Sequence, residues 1–191
     1  MFHYPNIGQT IISILRKADY MIFIYNDYGG THTTSLAAAL HLKIIKPSSF
    51  PLSKEEILAV PYFNKLTKQD FGKLIFHGKD QEGNPVYTIG RKSQNLVVPS
   101  LESLGLMLFK HFKIEEKLIL SNTSPTVPKI MSVGGFFSRG LKIDSIGVPL
   151  LIIGAKQCIK DIYELVENTK QVALTSTEDQ IIVLENKQFQ K

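Results

Sequence analysis

With only one cysteine, Cys158, among its 191 residues, the chain cannot close an internal disulfide. Cys158 falls on the apolar side of a predicted helix, so we expect a buried structural thiol in a reducing compartment. No apolar run approaches the roughly 18 residues needed to span a bilayer. The start of the chain carries no basic leader followed by an apolar core, and the sequence therefore places the protein in the cytoplasm, with no membrane partner. Metal motifs are missing too. The five histidines are dispersed, with no His-x-x-x-His or Glu-x-x-His arrangement, and no thiolate pair is available. A Gly-x-Ser-x-Gly elbow, internal repeats and low-complexity stretches are likewise absent. The net charge is +5, but the lysines are scattered (Lys43, Lys46, Lys54, Lys65, Lys68, Lys73, Lys79) without a basic run interleaved with aromatics. That pattern argues against a nucleic-acid partner and fits either a solvated basic surface or an acidic small-molecule ligand.

What is present reads as one globular domain: 43% hydrophobic and 20% charged residues, in a chain long enough to bury a core without staples. Ile7, Ile11, Ile12, Ile14 and Leu15 recur at helical spacing, predicting a short helix near 7–17. "YMIFIY" (Tyr20 to Tyr25) is a continuous aromatic and β-branched run of the kind a central, doubly covered strand shows. "SLAAALHL" after it is a good helix former with Thr33, Thr34 or Ser35 available as a cap. "SKEEILAVPYF" opens with a Ser53 to Glu56 capping box and is stopped by Pro61.

Lys73 to Gly78 and Val86 to Arg91 flank a turn with Gly83, Asn84 and Pro85, the pattern of a hairpin. "SLESLGLMLFKHF" predicts a helix with Leu101, Leu104, Leu108 and Phe112 on one side, leading into the strand "KLILSN". "VPLLIIG" predicts a further apolar strand ending at Gly154, followed by a helix bearing Cys158, Ile159, Ile162, Tyr163 and Val166. "QVALTSTEDQIIVLEN" offers two short strands around residues 177–179, either an edge hairpin or an appendage.

Strands each followed by a polar or glycine turn and a helix predict an α/β fold, a three-layer sandwich with a mainly parallel sheet extended by an antiparallel hairpin. The expected organisation is an N-terminal helical extension over 1–19, the α/β domain over 20–170 and a C-terminal β extension over 171–191. In such sheets ligands bind beyond the carboxyl ends of the strands. That rule selects Asn26 to Thr34, Asn122 to Lys129 and Gly154 to Gln157.

The first segment, "YNDYGGTHTTSLAAAL", combines two glycines with the start of a helix, whose amides and dipole can cradle phosphate or carboxylate. Asn26, Asp27, Gly29, Gly30, Thr31, Thr33 and Thr34 are the candidate ligand contacts, and His32 is the candidate proton donor. A P-loop is excluded: Tyr25 stands where its first glycine belongs and Thr31 where its lysine belongs. The dinucleotide fingerprint fails as well, because Gly29 and Gly30 are adjacent. A tight turn with capping threonines and nothing bound is the competing reading.

Asn122 ends a strand. Arg91 at the hairpin's end either reaches an anion over the sheet or is simply solvated. In "GGFFSRG", Gly134 and Gly135 within a helical stretch mark a close backbone approach or a helix break, and Arg139 offers a planar fork for an anion. His77 reads as an edge-strand histidine in water, and His41 and His111 as surface or boundary residues on helices.

"IYNDYGGTHTTSLAAALHL", "VPYFNKL", "GKLIFHGKDQEGNPVYTIGRK" and "VGGFFSRGL" resemble the successive blocks of an uncharacterised family found mainly in Firmicutes, domain of unknown function 3189. The resemblance covers roughly residues 20 to 170. It implies a bacterial cytoplasmic α/β protein and transfers neither a reaction nor a cofactor. Members of that family often carry a cysteine in the turn before the paired glycines. Asn26 and Asp27 stand there in this chain, which counts against a thiol mechanism.

Two functions follow from these readings. One is an anion-binding small-molecule protein, a transferase or hydrolase if it is an enzyme, with Arg91 or Arg139 as counter-charge. The other is a non-catalytic interaction protein or homo-oligomer that uses its sheet edges.

Overall fold

The computed structural model describes residues 20–176 and 179–190, so the helix expected near 7–17 lies outside the described residues, as do Thr177 and Glu178. Strand β1 (Met21–Asp27) is the middle of a five-stranded sheet of order β2-β3-β1-β4-β5. Its neighbours β3 (Pro85–Gly90) and β4 (Lys117–Asn122) both run parallel to it. β2 (Ile75–Lys79) adds the expected antiparallel hairpin, with a bulge between Phe76 and Gly78. The far edge is β5 (Ile181–Leu184), parallel to β4.

Alternation along the strands sends their side chains to two cores. Phe23, Tyr25, Val86, Ile119 and Ile182 face one layer, built from α1 (Thr33–His41), α2 (Lys54–Ala59), α4 (Lys129–Gly135) and α5 (Asp144–Thr175). Ile24, Ile89, Leu118 and Leu120 face the other layer, formed by α3 (Val97–Phe112) through Phe109. These are the three layers of an α/β sandwich. α2 starts on the expected capping box: Ser53 Oγ accepts the Glu56 amide while Glu56 Oε2 accepts the Ser53 amide.

Several expectations need correction. Val148 to Gly154 is not a strand but part of α5, where Gly147, Leu151, Gly154, Ala155, Cys158 and Ile162 are buried at helical spacing. A short apolar run does not distinguish a buried strand from a buried helix. Gly154 to Gln157 is therefore not a loop at the sheet's edge. Of the two strands expected near the C-terminus, Gln171 to Leu174 ends α5 and Ile181 to Leu184 is β5, so the pair is not a hairpin. The boundary expected at residue 170 falls inside α5. On α3 the buried positions are Gly105 and Phe109, and Leu104 and Phe112 point outward.

Beyond α4 the chain makes one π-helical turn, Phe136–Gly140, before entering α5. Gly134 and Gly147 sit where a side chain would collide. A Cβ on Gly134 would meet Leu151 N at 2.8 Å, and one on Gly147 would meet Ser138 N at 2.5 Å. Glycine here lets α4 and the π turn touch the α5 backbone, which fixes where Ser138 and Arg139 project.

Candidate functional site

The chain leaves β1 toward β3 and leaves β4 toward β5, in opposite directions. The crevice between the carboxyl ends of β1 and β4 is therefore the switch point where such sheets bind ligands. Asn26, Asp27, Asn122 and Thr123 flank it, and the Thr123 amide closes it by donating to Asn26 O at 2.8 Å.

The glycine turn has a structural task. A Cβ on Gly30, which has φ +72°, would lie 2.5 Å from Gly90 N, and one on Gly90 would lie 2.7 Å from Gly29 O. The pair lets the turn lie directly against β3. Its central amide is also engaged. The Gly30 amide donates to Asp27 Oδ1, and Thr33 Oγ1 donates to Asp27 Oδ2 at 2.7 Å, with Thr123 Oγ1 3.0 Å away. Asp27, 4% exposed, thus places a carboxylate at the amino end of α1. Negative charge there satisfies the helix dipole. Thr31 Oγ1 donates to Tyr62 O at 2.6 Å and accepts from the amides of Lys65 and Leu66, while Thr31 O accepts the Asn64 amide. Thr31 holds loop 62–66 rather than facing an open cleft. Tyr62 and Asn64 in that loop adopt left-handed backbone, φ 62° and 54°.

The anchored loop brings Asn64 to His32. His32 Nε2 donates to Asn64 Oδ1 at 3.2 Å, and Asn64 Nδ2 donates to Ser138 Oγ at 2.9 Å. Ser138 Oγ makes a short hydrogen bond to Asp144 Oδ1, and Arg139 lies 3.7 Å from the same carboxylate. His32 and Arg139 therefore converge, joined through Asn64 and Ser138. His32 has its pKa lowered, chiefly by burial, with Arg139 adding to the drop against the Asn64 hydrogen bond and Asp27. Gly135 gives the ring room, since a Cβ there would meet His32 Cε1 at 3.2 Å. α1 has no side-chain cap, and Thr34 Oγ1, Ser35 Oγ and Arg139 Nε are buried without hydrogen-bond partners among the described residues.

Arg91 belongs to a second group. It shares the strand parity of Ile89, and its Nε donates to Asn26 Oδ1 at 3.0 Å, with a longer 3.5 Å contact from Nη2 to Asn122 Oδ1. Asn26 and Asn122 share parity with Ile24 and Leu120, so this group lies on the α3 side, across the sheet from His32 and Arg139. Asn122 Nδ2 donates to Glu185 Oε2 at 3.0 Å, which ties in the end of β5. None of the ion pairs among the described residues involves Arg91.

His41 and His77 are not surface histidines. His41, 1% exposed, donates from Nε2 to Asp80 Oδ2 at 3.2 Å and accepts the Tyr25 hydroxyl on Nδ1 at 2.8 Å. Burial, helped by Lys170, pushes its pKa down to about 4 despite Asp80, so at neutral pH the pair is a hydrogen bond to a neutral imidazole. Burial likewise lowers His77 to about 4, and its Nε2 meets Thr88 Oγ1 at 3.0 Å. The His41 contacts fasten the hairpin turn to α1 and β1, and the His77 contact joins the two strands of the hairpin.

Asn64, Ser138, Asp144 and Glu185 were not legible as site residues. Each becomes significant only through a partner distant in the chain. Among the described residues, no group of three or more His, Cys, Asp or Glu side chains is placed to hold a metal ion, and no helix is long and apolar enough to cross a membrane. No curated protein and no solved structure matches the chain. The model of one family, a protein of unknown function designated DUF3189, matches residues 22–171. Together with the mixed α/β sheet that those residues build, the match over most of the chain shows that this protein belongs to the DUF3189 family.

Proposed function

We propose that the protein binds an anionic small molecule, phosphate- or carboxylate-bearing, at the carboxyl edge of the sheet, with Arg91 as the anchoring charge. The supporting observation is the balance of charge on the two sides of the edge. On the α1 side, Asp27 already stands at the amino end of the helix and Asp144 lies against Arg139, so the local cation is matched. On the α3 side, the half-buried Arg91 is held by two neutral amide oxygens and by no carboxylate of the described residues. A partly desolvated guanidinium is costly unless an anion meets it, and at 4 Å in a protein-surface environment that attraction is on the order of 4 kcal/mol. Two of its five N–H donors are used by the asparagines, which hold the fork in one orientation and leave the remainder for a bidentate oxyanion.

This reading moves the anion from the Gly29 to Thr31 amides to the switch-point crevice. It also separates Arg91 from His32, whose lowered pKa makes it a neutral imidazole on the opposite face. The test is thermal denaturation of the full chain with inorganic phosphate and small phosphate or carboxylate compounds. A ligand at about a hundred times its Kd adds roughly 2.7 kcal/mol, a rise of some 5 to 10 °C for a domain of this size. Arg91→Gln abolishes that rise relative to its own ligand-free Tm, and Arg139→Gln keeps it. An Arg91→Gln protein that responds like the parent, or a parent that responds to none of these anions, rejects the proposal.

A further inference from the structure

Resting on that anion reading, we infer that the ligand carries a flat ring beside its anionic group, and that its class is nucleoside phosphates. The pairing of β1 with β3 continues past the strand ends: the Arg91 amide donates to Asp27 O and the Lys92 amide to Tyr28 O, each at 2.9 Å. Tyr28, Arg91 and Lys92 therefore leave the backbone from adjoining rungs. Tyr28 is 61% exposed in a turn whose neighbours Asp27, Gly30 and Thr31 are all buried. It is also positioned. Its edge-to-face partner is Phe71, 6.2 Å between centroids at 84°, and Phe71 is in turn covered by the Lys92 ammonium at 4.8 Å from the ring centre.

Phe71 thus has its ring engaged, while Tyr28 presents aromatic surface outward. A steadied, exposed aromatic ring next to an unmatched guanidinium and an ammonium suits a ligand with a π face at one end and negative charge at the other. Base stacking on an aromatic side chain tolerates any base, because every base has a π face. The anion goes to Arg91 with Lys92 nearby, and the base lies on Tyr28.

The experiment is calorimetric titration of the full chain with inorganic phosphate, ribose 5-phosphate and the four common ribonucleoside monophosphates. At least one nucleotide binds about ten-fold or more tightly than ribose 5-phosphate. Tyr28→Ala removes that difference while leaving phosphate affinity unchanged, and Tyr28→Phe keeps it. If phosphate and ribose 5-phosphate bind and no nucleotide binds more tightly, the ring inference falls and the anion site stands. If nothing binds, both fall. A nucleotide preference that survives Tyr28→Ala also overturns the inference.

Discussion

Replacing Gly30 with alanine separates the two meanings that a paired-glycine turn can carry. If Gly30 exists to bare an amide for a ligand, its loss harms binding and spares the free protein. The structure predicts the opposite. The new Cβ would sit 2.5 Å from Gly90 N and 2.8 Å from Gly90 Cα, both backbone atoms of a paired strand that cannot swing aside. To that overlap, about 1 to 3 kcal/mol for a crowded site, the φ of +72° adds about 1 to 2 kcal/mol for a residue with a side chain. The sum is roughly 2 to 5 kcal/mol, or about 10 °C in Tm for a domain of this size.

Two controls divide the terms. Gly72 has φ +76° and nothing within 4 Å of a Cβ, so Gly72→Ala reports the backbone cost alone. Gly29 would meet only Thr31 Cγ2, at 3.9 Å, so Gly29→Ala stays within about 1 kcal/mol of the parent. The assay is urea unfolding of the ligand-free proteins at pH 7. A Gly30→Ala midpoint no lower than that of Gly72→Ala refutes the reasoning, because contact with Gly90 would then contribute nothing.

Two further predictions follow from buried or capped groups. His41 has a folded pKa of about 4, below the 6.5 of a free imidazole, so the unfolded chain takes up its proton first. Its contribution is complete above pH 6.5 and is lost as pH falls toward 4, a decline of up to about 3 kcal/mol in urea-unfolding free energy. His41→Gln removes that part of the slope, and an unchanged pH dependence in the variant would contradict the assignment. At the start of α2, Ser53→Ala deletes the cap that accepts the Glu56 amide and costs about 1 kcal/mol by the same assay, whereas Ser48→Ala in an exposed turn costs little.

The strand, glycine turn and helix at residues 21–41, the hairpin, the Ser53 capping box and the strand ending at Asn122 all depend on neighbours within a few positions. Local preference and apolar spacing therefore sufficed to predict them. The same information could not separate a seven-residue apolar run in a strand from one in a helix. Val148 to Gly154 went to the helix because Gly134, Gly147 and Gly154 let α4 and α5 meet at backbone distance, a contact between segments that spacing does not relate.

The chemistry of the edge was decided still further from home. Gly29 and Gly30 announce a turn, but what lies against it is Gly90, and what satisfies its amide is Asp27. His32 meets Arg139 because Thr31 ties down the loop bearing Asn64, and Arg91 stays apart from both because strand parity sends it to the opposite face. The sequence by itself determined the strands and helices that rest on local neighbours and which residues carry charge at their ends. Only the tertiary structure decided which of those charges are already answered, because electrostatic pairing depends on distance in space and not on distance along the chain.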